Sequence, residues 1–231
     1  MSTTISPEFI HHVRKIYVDS LEGMRSQKSV RFGINVFAID GLSAYVLAVA
    51  SVESFINETF FTLIPKFVTS HSPLWNLPKD WIENVELSAK LVLVPQLLFN
   101  KSFKRDESPY QDMILLIKIR NDLIHYKMDS KAPKYITPLS DRKIILSALH
   151  TNGEADFLWQ HKLGCSEGIR WAHNTACHIV KELFGFLPEK FAPLISGLAK
   201  NFEPIPETIV TNWMIQNNID PNSNYPELKS K

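Results

Sequence analysis

Ile114-Leu115-Leu116-Ile117-Lys118-Ile119-Arg120-Asn121-Asp122-Leu123-Ile124-His125-Tyr126-Lys127 is the stretch from which the fold is read. It is an apolar run with helical spacing and an arginine in its middle. At about 100° per residue, Met113, Leu116, Ile117, Ile119, Leu123 and Ile124 form one arc. Lys118, Asp122, His125 and Gln111 share the opposite side, with Asn121 between the two. Arg120 falls near the middle of the arc, where a guanidinium is least expected.

Two readings of Arg120 follow. It pairs with Glu53 or Glu58 of another buried helix and fixes register, the common fate of an arginine on such an arc. Alternatively its stem is buried and its tip faces an anion such as phosphate in a cleft. His125, five residues on, diverges from Arg120 by about 140° on a regular helix. The two reach one small target only if the helix loosens between Asp122 and His125, or if two copies of the chain combine about a two-fold axis.

The rest of the chain reads as helical scaffold. Ser6-Pro7-Glu8 has a capping serine, a proline and an acid in the order of a helix start, and predicts a helix to about Gln27. Lys28 to Asn35 is a basic connector. A central helix is expected over Val36–Ile64, stopped by Pro65, with Glu53 and Asn57 on the same stripe as Leu42, Val46, Val49, Phe60 and Ile64. Polar groups on a buried stripe need partners.

His71 to Asp80 is a loop. A helix from Trp81 to about Phe99 is expected to break near Val94-Pro95. Ser108-Pro109 starts the Arg120 helix. Asp129 to Ser140 is read as loop, Asp141 to His150 as a short helix, and Thr151-Asn152-Gly153 as a turn. Ser166-Glu167 opens the last long helix, which ends at Leu187-Pro188. From Asn201 the prolines and asparagines predict an extended tail with one short turn around Ile209 to Ile215. No alternation argues for a sheet, and eight glycines against fourteen prolines favour helices punctuated by proline.

Composition narrows the function classes. Hydrophobic residues are 45% and charged residues 21% of 231, enough for one sizeable core. A net charge of +1 and a pI near 7.8 exclude a polybasic nucleic-acid coat, so any RNA contact is local. Cys165 and Cys177 give neither a disulfide framework nor a zinc quartet. The N-terminus lacks the apolar core of a signal peptide, and Leu42 to Val52 is too short to span a bilayer. A soluble cytoplasmic protein with no membrane partner is the expectation.

Arg120-Asn121-Asp122-Leu123-Ile124-His125 resembles the signature of the HEPN superfamily: arginine, a polar residue, a short spacer, then histidine. Glu53-Ser54-Phe55-Ile56-Asn57-Glu58 is similar to the acidic, asparagine-bearing helix of bacterial subfamilies. The Trp171-containing helix fits as well, so the resemblance covers roughly Val36 to Pro188. It implies an all-α HEPN-like helical bundle over 36–200, preceded by an N-terminal helix and connector (1–35) and followed by the tail (201–231).

The resemblance also implies an endoribonuclease that needs neither metal nor other cofactor and acts as a toxin or in anti-phage defence. Arg120, Asn121 and His125 would be catalytic, in a site shared between the subunits of a homodimer. Glu53, Asn57 and Glu58 would hold Arg120 from behind. Tyr126 and Lys127 would contact RNA, and the basic loop of Lys101, Lys104 and Arg105 would touch its backbone outside the cleft. An antitoxin or defence-system protein is the expected partner. Family toxins paired with a nucleotidyltransferase carry a tyrosine two residues after the histidine. Lys127 stands there instead, against regulation at that position. The rival reading keeps the fold and dimer but uses the cleft only to bind nucleotide, RNA or a protein. His173 and Cys177, four apart on the last helix, share a face but lack a second ligand cluster, so they read as ordinary helix residues.

Overall fold

The computed structural model describes residues 4–25, 31–32, 35–36, 40–63, 84–125, 131–145 and 159–207, with 209, 212 and 216. The fold is all-α. Helices α1 (Ser6–Arg25), α2 (Gly41–Ile56), α3 (Leu87–Phe99) and α4 (Tyr110–Ile124) are followed by α5 (Ile136–Asp141), α6 (Trp159–Leu163), α7 (Ser166–Phe186) and α8 (Ala192–Ala199). One two-residue antiparallel pair, Arg31–Phe32 with Asn35–Val36, lies between α1 and α2.

The centre is the α2–α7 pair, not α4. Helix α1 packs on both, and α4 packs on both as well. Helix α2 is apolar nearly all round, so it buries Ala44, Tyr45, Ala48, Val49, Val52, Phe55 and Ile56 among several neighbours. Together with its continuation to Leu63 it is long and apolar enough to cross a membrane by length and composition. Here that apolar surface meets α1, α4 and α7.

Close approach explains one glycine. A methyl group on Gly168 would meet the Tyr45 hydroxyl and, at 2.8 Å, the Leu163 carbonyl oxygen. The Tyr45 hydroxyl donates to that same carbonyl at 3.0 Å. Helix α1, set apart from the main domain in the sequence reading, shares its core through Ile10, Val13, Tyr17 and Leu21. So does the start of the expected tail, where Phe202 is fully buried edge-on to Phe55, ring centroids 5.5 Å apart.

Several boundaries differ from expectation, among them the start of the central helix, which is Gly41 and not Val36, a residue of the strand pair. Beyond Ile56 the central helix widens into a π-helix, Asn57–Leu63. Helix α3 runs through Pro95 without breaking and stops at Asn100, whose left-handed backbone (φ 52°) suits a helix terminus. The Asp129–Ser140 loop contains α5, because Pro138 is its third residue, where the missing N–H loses no bond. Helix α5 then ends where a helix over Asp141–His150 was expected to begin. Lys143 turns left-handed (φ 58°), with Lys143 N–H bonding Ser140 O and Ile144 N–H bonding Leu139 O. His71–Asp80, Thr151–Gly153 and residues 146–150 lie outside the described residues, as do the tail beyond 216 and Tyr126 and Lys127.

Candidate functional site

Helix α4 buries Tyr110, Met113, Leu116 and Ile119, spaced at threes along one face. Arg120 belongs to the edge of that face and is half-buried. Its Nε is enclosed and, among the described residues, has no hydrogen-bond partner. One turn on, Ile124 is 52% exposed although it shares the arc, so the apolar face opens toward solvent at this end. Asn121 and His125 are exposed.

The helix stays regular through Ile124. Only His125 departs from it (φ −100°, ψ 28°), its N–H still bonding Asn121 O at 2.9 Å. No loosening between Asp122 and Ile124 swings His125 toward Arg120. Asp122 accepts a 2.9 Å bond from the Tyr135 hydroxyl, and the Lys118 ammonium lies 5.6 Å from that ring. Burial, then the bond to Asp122, holds the Tyr135 hydroxyl far above its usual range. The phenol stays protonated and ties the end of α4 to α5.

The expected support for Arg120 is committed elsewhere. Lys90 of α3, only 2% exposed, donates to Asn57 Oδ1 at 3.2 Å and lies 3.5 Å from Glu53 Oε1. Glu58 accepts from the Ile5 and Ser6 N–H groups and, at 2.6 Å, from the Ser6 hydroxyl. It therefore places a carboxylate on the positive end of α1. Neither Glu53, Asn57 nor Glu58 bonds Arg120. The physical reason is that a lysine from α3 and the amino end of α1, where the expected capping Ser6 donates its hydroxyl to Glu58, engage these groups instead.

Lys90 is the residue that sequence reasoning missed. Its signal was present: it shares a stripe with Leu87, Leu91 and Val94, so its burial followed from spacing alone.

Lys101, Lys104 and Arg105 are exposed just before α4, whose start lies ten residues and so about 15 Å along the helix from Arg120, a place suited to contacts outside the cleft. Lys104 is also paired with Glu107 at 3.3 Å. Comparison with family models, with curated proteins and with solved structures returned no match.

His173 and Cys177 do meet. The sulfur lies 3.6 Å from Nδ1, and both side chains are buried. Burial drives the pair apart in acidity: His173 falls to about 4 and Cys177 rises to about 12. The couple is therefore neutral imidazole and neutral thiol. Cys165, which donates to Ile144 O at 3.3 Å, is likewise pushed up to about 12 by burial. Among the described residues, no three of His, Cys, Asp and Glu gather as metal ligands.

Proposed function

We propose that this chain is a HEPN-like endoribonuclease of the cytoplasm that acts without a metal ion, in a toxin or anti-phage defence role. The observation that carries the reading is Arg120: a guanidinium rooted in a buried helix face, its Nε enclosed and unbonded, while every carboxylate expected to neutralise it is engaged elsewhere. A buried donor without a partner is costly. A phosphate at the open end of α4 would meet the terminal nitrogens of the guanidinium, which are not among the enclosed atoms, and compensate the charge.

In the reaction, His125 takes the proton from a ribose 2′-hydroxyl. The 2′-oxygen bonds to phosphorus, the bond from phosphorus to the 5′-oxygen breaks, and a proton passes to that leaving oxygen. The products are a 2′,3′-cyclic phosphate and a 5′-hydroxyl. Arg120 neutralises charge building on the phosphoryl oxygens, and exposed Asn121 orients them. Because α4 is regular through Ile124, one chain points Arg120 and His125 in different directions. A homodimer that shares its sites supplies the missing convergence.

That same divergence favours a second reading, a non-catalytic HEPN-like dimer that binds nucleotide, RNA or a protein partner at Arg120. Cleavage of total RNA by wild type and by His125→Ala, each with and without chelator, separates the two. Catalysis predicts cyclic-phosphate ends from wild type, undiminished by chelator, and none from the variant. RNA bound but uncut by both chains supports the binding module.

A further inference from the structure

Asp122 is an acid where stability alone would not put one. It lies in the last turn of α4, where the negative end of the helix dipole disfavours a carboxylate. It is also two residues from Arg120, so its charge repels the phosphate that Arg120 is read to meet. Among the described residues no lysine or arginine pairs with it. Lys118, one turn back, sits over the Tyr135 ring at 5.6 Å. The Tyr135 hydroxyl donates to Asp122 Oδ2 at 2.9 Å, and an asparagine oxygen would accept that bond too. The bond explains a polar side chain at this position but not a charged one.

His125 explains the charge. Residues three apart on a helix are neighbours, and Asp122 and His125 share one side of α4. Tyr135 occupies Oδ2 and leaves Oδ1 to a second partner. The phenol is itself fixed, being 7% exposed and edge-on to Trp159 with ring centroids 6.2 Å apart. Asp122 is half-buried against it, while His125 stands exposed. When His125 takes a 2′-hydroxyl proton its ring becomes a cation, which a held carboxylate one turn back favours. The same carboxylate, by accepting the N–H of the ring nitrogen turned away from RNA, sets the tautomer that leaves the other nitrogen free as base. Contacts of this kind tighten when substrate binds.

We propose that Tyr135 and Asp122 are positioning residues for His125: the buried phenol fixes the carboxylate, and the carboxylate orients the imidazole and balances its charge while it carries the proton. The inference rests on the ribonuclease reading. It asks nothing of the second subunit, because Asp122 and His125 belong to one turn of one helix and enter together whichever cleft His125 completes.

The test follows cleavage of an end-labelled pool of mixed-sequence RNA by the full chain. Asp122→Asn keeps the acceptor for Tyr135 and removes only the charge. Its kcat should fall by about tenfold to a hundredfold, with KM no higher and the urea midpoint no lower than in wild type. Tyr135→Phe keeps the charge but frees the carboxylate, and its kcat should fall by about threefold to tenfold. A merely structural Asp122 predicts the reverse pattern for the asparagine variant: unchanged kcat, or a loss that tracks a lower urea midpoint. Either result overturns the proposal, as does Tyr135→Phe with full kcat. If wild type leaves the pool uncut, or His125→Ala cuts it equally, the ribonuclease reading falls and this inference with it. A pool cut only when His125 is present, and cut equally by Asp122→Asn, overturns this inference alone.

Discussion

Replacing Arg120 with methionine should make the protein more stable and less active. Methionine keeps the unbranched stem that lies on the α4 face and removes the guanidinium. The stability gain is set by the enclosed Nε, which has no partner among the described residues. Burying an unsatisfied donor costs roughly 1–3 kcal/mol. Arg120 as a whole is half-buried, so the lower end applies and the expected gain is about 1 kcal/mol. In urea unfolding followed by circular dichroism, that is a midpoint shift of about 0.5 M at unchanged slope. In a thermal scan it is about 2–4 °C. RNA cleavage should fall by about 10²- to 10³-fold, as for loss of one transition-state donor. A buried ion pair behaves in the opposite way, because breaking it costs about 3–5 kcal/mol. Destabilisation of that size in Arg120→Met would mean that Arg120 has a structural partner, and the reasoning from its unpaired Nε would fail.

Two further outcomes follow from the core. His173 titrates near 4 in the fold, chiefly through burial and then through the nearby Arg14 and His11, against 6.5 unfolded. The unfolded chain therefore binds the extra proton, and stability is full above about pH 6.5 and falls toward pH 4. At roughly 1.4 kcal/mol per pH unit the loss approaches 3 kcal/mol. Comparing urea midpoints of wild type and His173→Gln at pH 7 and pH 4.5 should show a flatter profile in the variant, and parallel profiles would contradict the assignment. Gly168→Ala should cost about 1–3 kcal/mol by overpacking against Tyr45 and the Leu163 carbonyl. An unchanged melting temperature would show that the α2–α7 crossing yields easily.

The helical class and the long helices were legible because their apolar spacing is strong. The last helix was expected from Ser166 to Leu187 and spans Ser166–Phe186. Helix α5 was hidden by proline, since Pro138 sits where a first turn needs no N–H and yet reads as loop. In the site, spacing identified Arg120 as anomalous and Glu53 and Asn57 as needing partners. It could not say which cation would arrive, because Lys90 lies 33 residues from Asn57 and only packing brings it there. The bond between Glu58 and Ser6 spans 52 residues and has no local signature at all. The prolines of the C-terminal segment predict an extended tail but not what it docks on, which Phe202 and Ile205 decide by entering the chain's own core.

The grip of Glu58 on the start of α1 also bears on how the molecule opens. Amides in a first helical turn exchange with solvent easily when their acceptor is water or a neighbouring side chain. Here the acceptor is a carboxylate on the π-helical end of the central element. Fraying at the amino end of α1 breaks the bonds to Glu58, so its amides are expected to exchange together with those of Asn57–Leu63.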